Sequence, residues 1–265
     1  MASNLSTIGF SFADEASFQA TMLKCAGDAI AGLKCEAGEY RIWRARSGAE
    51  LWFHIGTAQN GETEIHGLTP FFEGQSEIAL KITGPVHRPG DTDYEGAFYG
   101  WVAPDETGEG NYPLVFDAVD YSAHSGVTWP AVRKVRMTGF ARELTAYPTE
   151  DAYLAASDGP DEPRLAAKSF IPMGLFAAAQ ATAEVAPSDN PGNPPPSSNA
   201  LLTGQILDHR LFTNEASGAT FHWLLVESLD ATFDVIADPA VVRGEILPGG
   251  TIEVTCLLFG RLLKD

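Results

Sequence analysis

Over most of the chain apolar and polar residues alternate with a period of two, and the pattern sets in at Tyr40. YRIWRAR (Tyr40–Arg46), ELWFHIGTA (Glu50–Ala58) and TEIHGLTPFF (Thr63–Phe72) read as successive strands, joined at Ser47-Gly48 and Asn60-Gly61. Successive side chains of a strand point to opposite faces, so alternation marks a sheet with one buried face. Asn-Gly between such runs predicts a two-residue type I′ turn, whose residues both need φ > 0. That turn places Leu51 opposite Pro70, Phe53 opposite Leu68 and Ile55 opposite His66. Further strands are predicted in SEIALKITG, GAFYGWVAP, YPLVFDAVDY and RKVRMTGFAREL, followed by a short helix around Thr149–Ala156. The apolar segment SFIPMGLFAAAQ (Ser169–Gln180) is expected to cap the core of this region.

Before Tyr40 the period is helical. Phe18, Met22, Cys25, Ala29 and Leu33 recur at i+3/i+4 spacing, which predicts a helix from Asp14 to Leu33 with its stripe against the core. Beyond residue 199, Leu201–Phe212 and Ala219–Glu227 flank a turn at Thr213–Gly218, and Thr232–Ala237 follows. Asp238–Val242 is compatible with one helical turn, and Thr251–Phe259 alternates through Ile252, Val254, Cys256 and Leu258. Four or five short strands with one helical turn are what a small Greek-key barrel requires, and the pattern resembles an OB-fold or SH3-like barrel. A resemblance of pattern carries no function with it. A faint echo aligns Met137–Glu150 with Leu202–Glu215 at an offset of 65, which suggests related strands.

Between the two β-rich regions lies Thr182–Asn199, TAEVAPSDNPGNPPPSSN. Proline lacks a backbone donor and has a fixed φ, so this stretch is expected to be an extended linker. The expected organisation is a mainly β domain at 1–181, the linker at 182–199, and a small β-barrel at 200–265. The fold class is therefore mainly β with minor α+β character: an antiparallel sheet or barrel with an N-terminal helix, then an OB-fold- or SH3-like barrel.

The 265 residues carry 17 Lys+Arg against 35 Asp+Glu, a formal net charge of −18. Neutralising duplex phosphates needs clustered cations, so duplex nucleic acid is excluded as a partner. The charge is spread as −11 over residues 1–180, −2 over 182–199 and −5 over 200–265, which fits solubility better than a recognition tail. Glu253 and Asp234 read as exposed and argue against single-stranded nucleic acid on the C-terminal barrel. The N-terminus has neither a basic nor an apolar signal region, and no run approaches the roughly 18 apolar residues of a membrane helix. Cys25, Cys35 and Cys256 form no CxxC pair and read as idle thiols of a cytoplasmic protein.

The richest polar cluster is His87-Arg-Pro-Gly-Asp-Thr-Asp-Tyr-Glu-Gly96. Asp91, Asp93, Glu95 and Gly96 match positions 1, 3, 5 and 6 of a calcium loop, but position 12 is Val102 instead of a bidentate Glu. Asp91, Asp93 and Glu95 are thus the candidate metal ligands, with a solvated acidic loop as the plainer reading. His87 with Asp91 or Asp93 is the candidate acid/base pair, and His124 is a further candidate for the same pocket.

If Thr213 opposes Ala219, His209 faces Trp223 and Arg210 faces His222, so the two histidines point to opposite faces and share no metal. Asp208 and Arg210 then form a salt-bridge patch on the His222 side. His66 is read as a semi-core histidine, and His54 as part of a surface with Trp52. No nucleophile elbow, zincin motif, P-loop or dinucleotide fingerprint occurs, and no cofactor is expected. The first functional expectation is a non-catalytic protein-binding or assembly module. The alternatives are an enzyme with its active site around His87, Asp91 and Asp93, and an acidic nucleic-acid mimic. Oligomeric state is left open.

Overall fold

The computed structural model describes residues 3–58, 61–107, 110–156, 165–175 and 195–264. Helix α1 spans Glu15–Asp28, and its N-cap Asp14 is extended and accepts a 2.8 Å bond from Ser17 N. Such a cap satisfies one of the free N–H groups of the first turn. The helix ends five residues earlier than its apolar spacing predicts. Ile30–Cys35 instead forms strand β1, paired with β2 (Gly38–Arg44), so cross-strand bonding overrides the helical period there. Strands β3 (Ala49–Thr57) and β4 (Thr63–Phe72) complete a four-stranded antiparallel meander in the order β1-β2-β3-β4.

Leu51 faces Pro70 and Phe53 faces Leu68, as the pattern predicts, but Ile55 faces Ile65. One extra residue enters β4 at this point. Gly61 is left-handed (φ 83°) and donates to Ala58 O at 2.9 Å, while Asn60, the other half of the predicted turn, lies outside the described residues. His66 is itself that extra residue, while His54 keeps Gly67, the partner the turn predicts, and is buried because β3 is covered on both faces. His66 is exposed and stacks on Tyr94, whereas His54 is fully buried.

The second sheet has ten strands. In chain order they are β5 (Glu77–Val86), β6 (Ala97–Val102), β7 (Pro113–Ala118), β8 (Ala131–Tyr147), β9 (Ser169–Ile171), β10 (Asn199–Thr213), β11 (Thr220–Ser228), β12 (Ala231–Ala237), β13 (Val242–Arg243) and β14 (Thr251–Leu262). A short helix α2 (Glu150–Ala155), capped by the Thr149 hydroxyl, follows β8.

This sheet closes on itself twice. One ring runs β8-β5-β6-β7-β14 and returns to β8; its β7–β14 pair is parallel and the other four are antiparallel. The other runs β8-β12-β11-β10-β14 and again returns to β8, with β8–β12 as its parallel pair. The antiparallel pair of β8 and β14, from Val135↔Leu262 to Tyr147↔Thr251, is the wall common to both. Closure of this kind removes exposed sheet edges.

Residues 200–265, expected as a separate small barrel, therefore do not close one alone, because β8 supplies a wall of their ring. The expected linker also ends early: Asn199 already pairs with Leu257, and Ser198 is buried with its hydroxyl 2.8 Å from Asp117 Oδ2. Residues 182–194 of that stretch lie outside the described residues. The echo at offset 65 aligns β8 with β10, which hold different places in the rings. The order of pairing instead matches β5-β6-β7-β8 to β10-β11-β12-β14, with a 3₁₀ turn before the last strand of each set (Tyr121–His124 and Pro239–Val241).

One core fills both rings, with Leu80, Phe116 and Met137 in the same cluster as Leu202, Leu224 and Val254. Asp234, expected on the surface, is fully buried on the other face of β12, beside Trp223 and Ile236: its carboxylate accepts from Trp223 Nε1 at 2.6 Å and Ser76 N at 2.7 Å. The extra residue Arg142, between the pairs Ala141↔Cys256 and Glu143↔Thr255, flips the inward parity of β8 from Val135, Met137 and Ala141 to Leu144 and Ala146. Gly260 is required where the rings meet, since a Cβ there would lie 2.4 Å from Phe116 Cδ2.

The meander packs on this wall through a second apolar core, in which Trp52, Phe53 and Phe71 meet Phe140, Trp223 and Phe259, and charge adds to the contact. Arg261 of β14 lies 2.5 Å from Glu73 Oε2 and 3.9 Å from Glu50 Oε2, and Arg136 of β8 pairs with Glu73 and Glu77. No helix among the described residues is long and apolar enough to cross a membrane.

Candidate functional site

A cleft of about 560 Å³ opens where the β1–β2 turn meets the first ring. Glu36 and Ala37 come from that turn, Pro85 and His87 from the end of β5 and the residue after it, and Asp93 from the following loop. Phe98 of β6, the 3₁₀ turn Tyr121–His124 and Trp129 complete it. Three rings form its apolar wall: the Phe98 centroid lies 5.3 Å from Tyr121 and 5.0 Å from Trp129.

The 3₁₀ turn gives the site its one preorganised polar pair. His124 Nε2 lies 2.9 Å from Asp120 Oδ2, four residues earlier. The Asp120 side chain is 2% exposed and also accepts from Leu262 N at 3.2 Å, which ties the turn to β14. Asp120 Oδ1 is buried with no hydrogen-bond partner among the described residues. A carboxylate held this way orients an imidazole and fixes its tautomer.

Behind the cleft an aromatic stack fixes the loop that carries Asp93. Tyr94 stacks on His54 with centroids 5.1 Å apart, and its hydroxyl donates to Ile55 O at 2.8 Å or to Ala37 O. Tyr40 donates to Tyr94 O at 2.7 Å and accepts from Ser122 N at 3.1 Å. Burial pushes the Tyr40 phenol above its ordinary range and holds His54 down to about 4. Both stay neutral and serve as packing.

Of the candidates from sequence, His87 and Asp93 line this cleft and Asp91 does not. Asp91 faces a second cavity of about 230 Å³, where Arg88 bridges it at 3.2 Å and Asp117 at 2.6 Å. Burial pushes Asp117 above the carboxylate range despite Arg88. Glu95 is turned back on its own loop, accepting from Thr92 Oγ1 at 3.0 Å. Asp91, Asp93 and Glu95 therefore do not converge, and no group of three or more His, Cys, Asp or Glu among the described residues could hold a metal. The calcium pattern fails because Arg88 captures its first carboxylate and Glu95 is spent on a turn.

Asp120 is the site residue that sequence reasoning missed. The available signal was its i,i+4 spacing to His124, which brings two side chains together only on a helical turn; the alternation there predicts a strand running through Tyr121. Comparison with protein-family models, curated proteins and solved structures finds no match.

Proposed function

We propose that the protein is a non-catalytic protein-binding or assembly module whose cleft receives a cationic side chain of its partner. One observation carries this reading: the carboxylates of Glu36 and Asp93 share the cleft with the rings of Phe98, Tyr121 and Trp129, and among the described residues no Lys or Arg lines it. Aromatic faces and carboxylates together suit an ammonium or guanidinium group. The net charge of −18 would steer such a partner inward.

The connectivity supports a finer fold reading. Each ring has three antiparallel strands, a parallel pair, and a helical turn before the strand that closes it, as in an OB-fold. We read the rings as OB-like barrels that exchange their last strands across β8 and β14. The three cysteines, all free, accord with a cytoplasmic setting.

The test is a titration of the protein with the amides of N-acetyl-lysine and N-acetyl-arginine, followed by Trp fluorescence. Saturable quenching that weakens with salt and is lost in D93N and W129A is expected. Equal response to the uncharged norleucine amide overturns the reading.

The Asp120–His124 pair favours a second reading, an enzyme in which His124 acts as general base at the same cleft. Turnover of lysyl or arginyl esters that disappears in H124Q, with amide binding retained, would establish it.

A further inference from the structure

His209 and His222 face one another at the rim of the second ring. Their meeting depends on a bulge. Ile206 faces Val226 and Asp208 faces Leu225, so Leu207 is the extra residue of β10. Beyond it Leu211 faces His222, Arg210 faces Trp223 and His209 faces Leu224, one residue away from the register the sequence suggests. A one-residue slip moves every side chain to the other face. Both histidines therefore share the inward face of the barrel wall, while Arg210 turns to the opposite face and lies over Trp223, 5.7 Å from its centroid.

His209 Nε2 and His222 Nδ1 are 2.9 Å apart, with ring centroids 5.1 Å apart. A neutral imidazole has one donor and one acceptor nitrogen, so the pair shares a single proton. The surroundings leave the rim open. His222 has only Ala237 beside it on β12, and Leu211 opposite it is 56% exposed.

We propose that this pair is a binding site for a late first-row divalent metal ion, copper(II) foremost. Two nitrogens at about 2.0 Å from an ion and at a right angle to each other lie about 2.8 Å apart. A tetrahedral pair would stand about 3.3 Å apart, so either geometry is reached by small ring movements from the hydrogen-bonded pair, and of the late first-row divalent ions copper(II) binds most strongly. Each ring can keep its one proton on the nitrogen turned away from the partner, so the ion enters by a change of tautomer with no net proton release. Water fills the remaining positions from the open side.

The site lies apart from the cleft yet at an equivalent place. The first ring has its own bulge, at Thr83 between the pairs Ile82↔Gly100 and Gly84↔Tyr99. Counted from the two bulges, Pro85 and Phe98 of the cleft stand where His209 and Leu224 stand in the second ring. The same rim is thus built for a ligand in both rings, aromatic and acidic in one and imidazole-lined in the other.

The test is titration of the full chain with copper(II) chloride alone, read by calorimetry and electron paramagnetic resonance. One ion per chain is expected, with hyperfine splitting from two nitrogens. H209N and H222N should each weaken binding at least 10-fold, a loss on the scale of about 10–100-fold known for metal-site partners, with circular dichroism unchanged. H87N should leave affinity and spectrum unaltered. A stoichiometric site that survives in the H209N/H222N double variant overturns the proposal, as does the absence of binding to the unmodified chain.

Discussion

At the scale of single residues, His54 links burial to acid sensitivity. It is 1% exposed, with Nε2 3.1 Å from Thr69 Oγ1 and its ring on Tyr94, and burial holds its pKa at about 4 against an ordinary 6.5. Below pH 6.5 the unfolded chain takes up a proton that the native ring refuses. The stability that neutral His54 contributes is therefore intact above 6.5 and lost as pH falls through about 4, amounting to about 3 kcal/mol. Urea unfolding at pH 7.5 and 4.5 should show a larger loss for the wild type than for H54N; an equal loss would remove His54 as the acid-labile group. The identity of this residue as the buried histidine was not legible in the alternation. It depends on β3 being covered on both faces, whereas the exposure of His66 follows from its place as the extra residue of β4 and the His209–His222 contact from Leu207. Bulges are local insertions in a ladder, and period-two patterning gives no sign of them unless a partner strand is known.

At the scale of elements, a few part-buried charges sit where the meander meets the shared wall, beside an apolar core that joins Trp52, Phe53 and Phe71 to Phe140, Trp223 and Phe259. Burial pushes Glu73 up, and Arg261 and Arg136 together overcome it, leaving Glu73 below the usual carboxylate range. Glu50, 1% exposed, is pushed up by burial despite Arg44 and the 2.7 Å bond from Trp52 Nε1. R261M removes the cation that both carboxylates share, leaving Glu73 with Arg136 and Glu50 with Arg44, and should cost about 1–3 kcal/mol. K168M removes the partner of Glu227 in a pair whose side chains are 43% and 44% exposed, and should cost under about 1 kcal/mol. Denaturant midpoints that show no such contrast would mean that the meander is held by its apolar contacts alone. The strands these charges join were legible to within about three residues at their ends, with the one expected at Thr251–Phe259 stopping short of Arg261. The pairings that bring Arg261 and Arg136 to Glu73 were not, because they span separations of 188 and 63 residues.

For the whole molecule, two rings with a common wall imply that neither half is complete without the other. β8 from before the proline-rich stretch and β14 from after it pair along twelve positions. Residues 1–181 and 195–265, expressed separately, should each fail to give a cooperative unfolding transition, and mixing them should restore one. Two independent transitions from the separated pieces would show that each half closes its own core. The intact chain should unfold in one step by both Trp fluorescence and circular dichroism. The proline-rich stretch remains a boundary in composition, but strands from both sides of it complete the same rings.

The sequence alone determined most of the local elements, the strands from Tyr40 onward and the two helix starts at Asp14 and Thr149, together with the net charge of −18. These follow from side-chain alternation, capping and charge, which act within a few residues of one another. Only the tertiary structure decided that β8 and β14 are shared, that Asp234 is buried, that Asp91 turns away from His87, and that Asp120 meets His124 and His209 meets His222. Each of these depends on which strand lies beside which and on where one extra residue enters a ladder. Many pairings bury apolar surface equally well, and only the closed rings select among them.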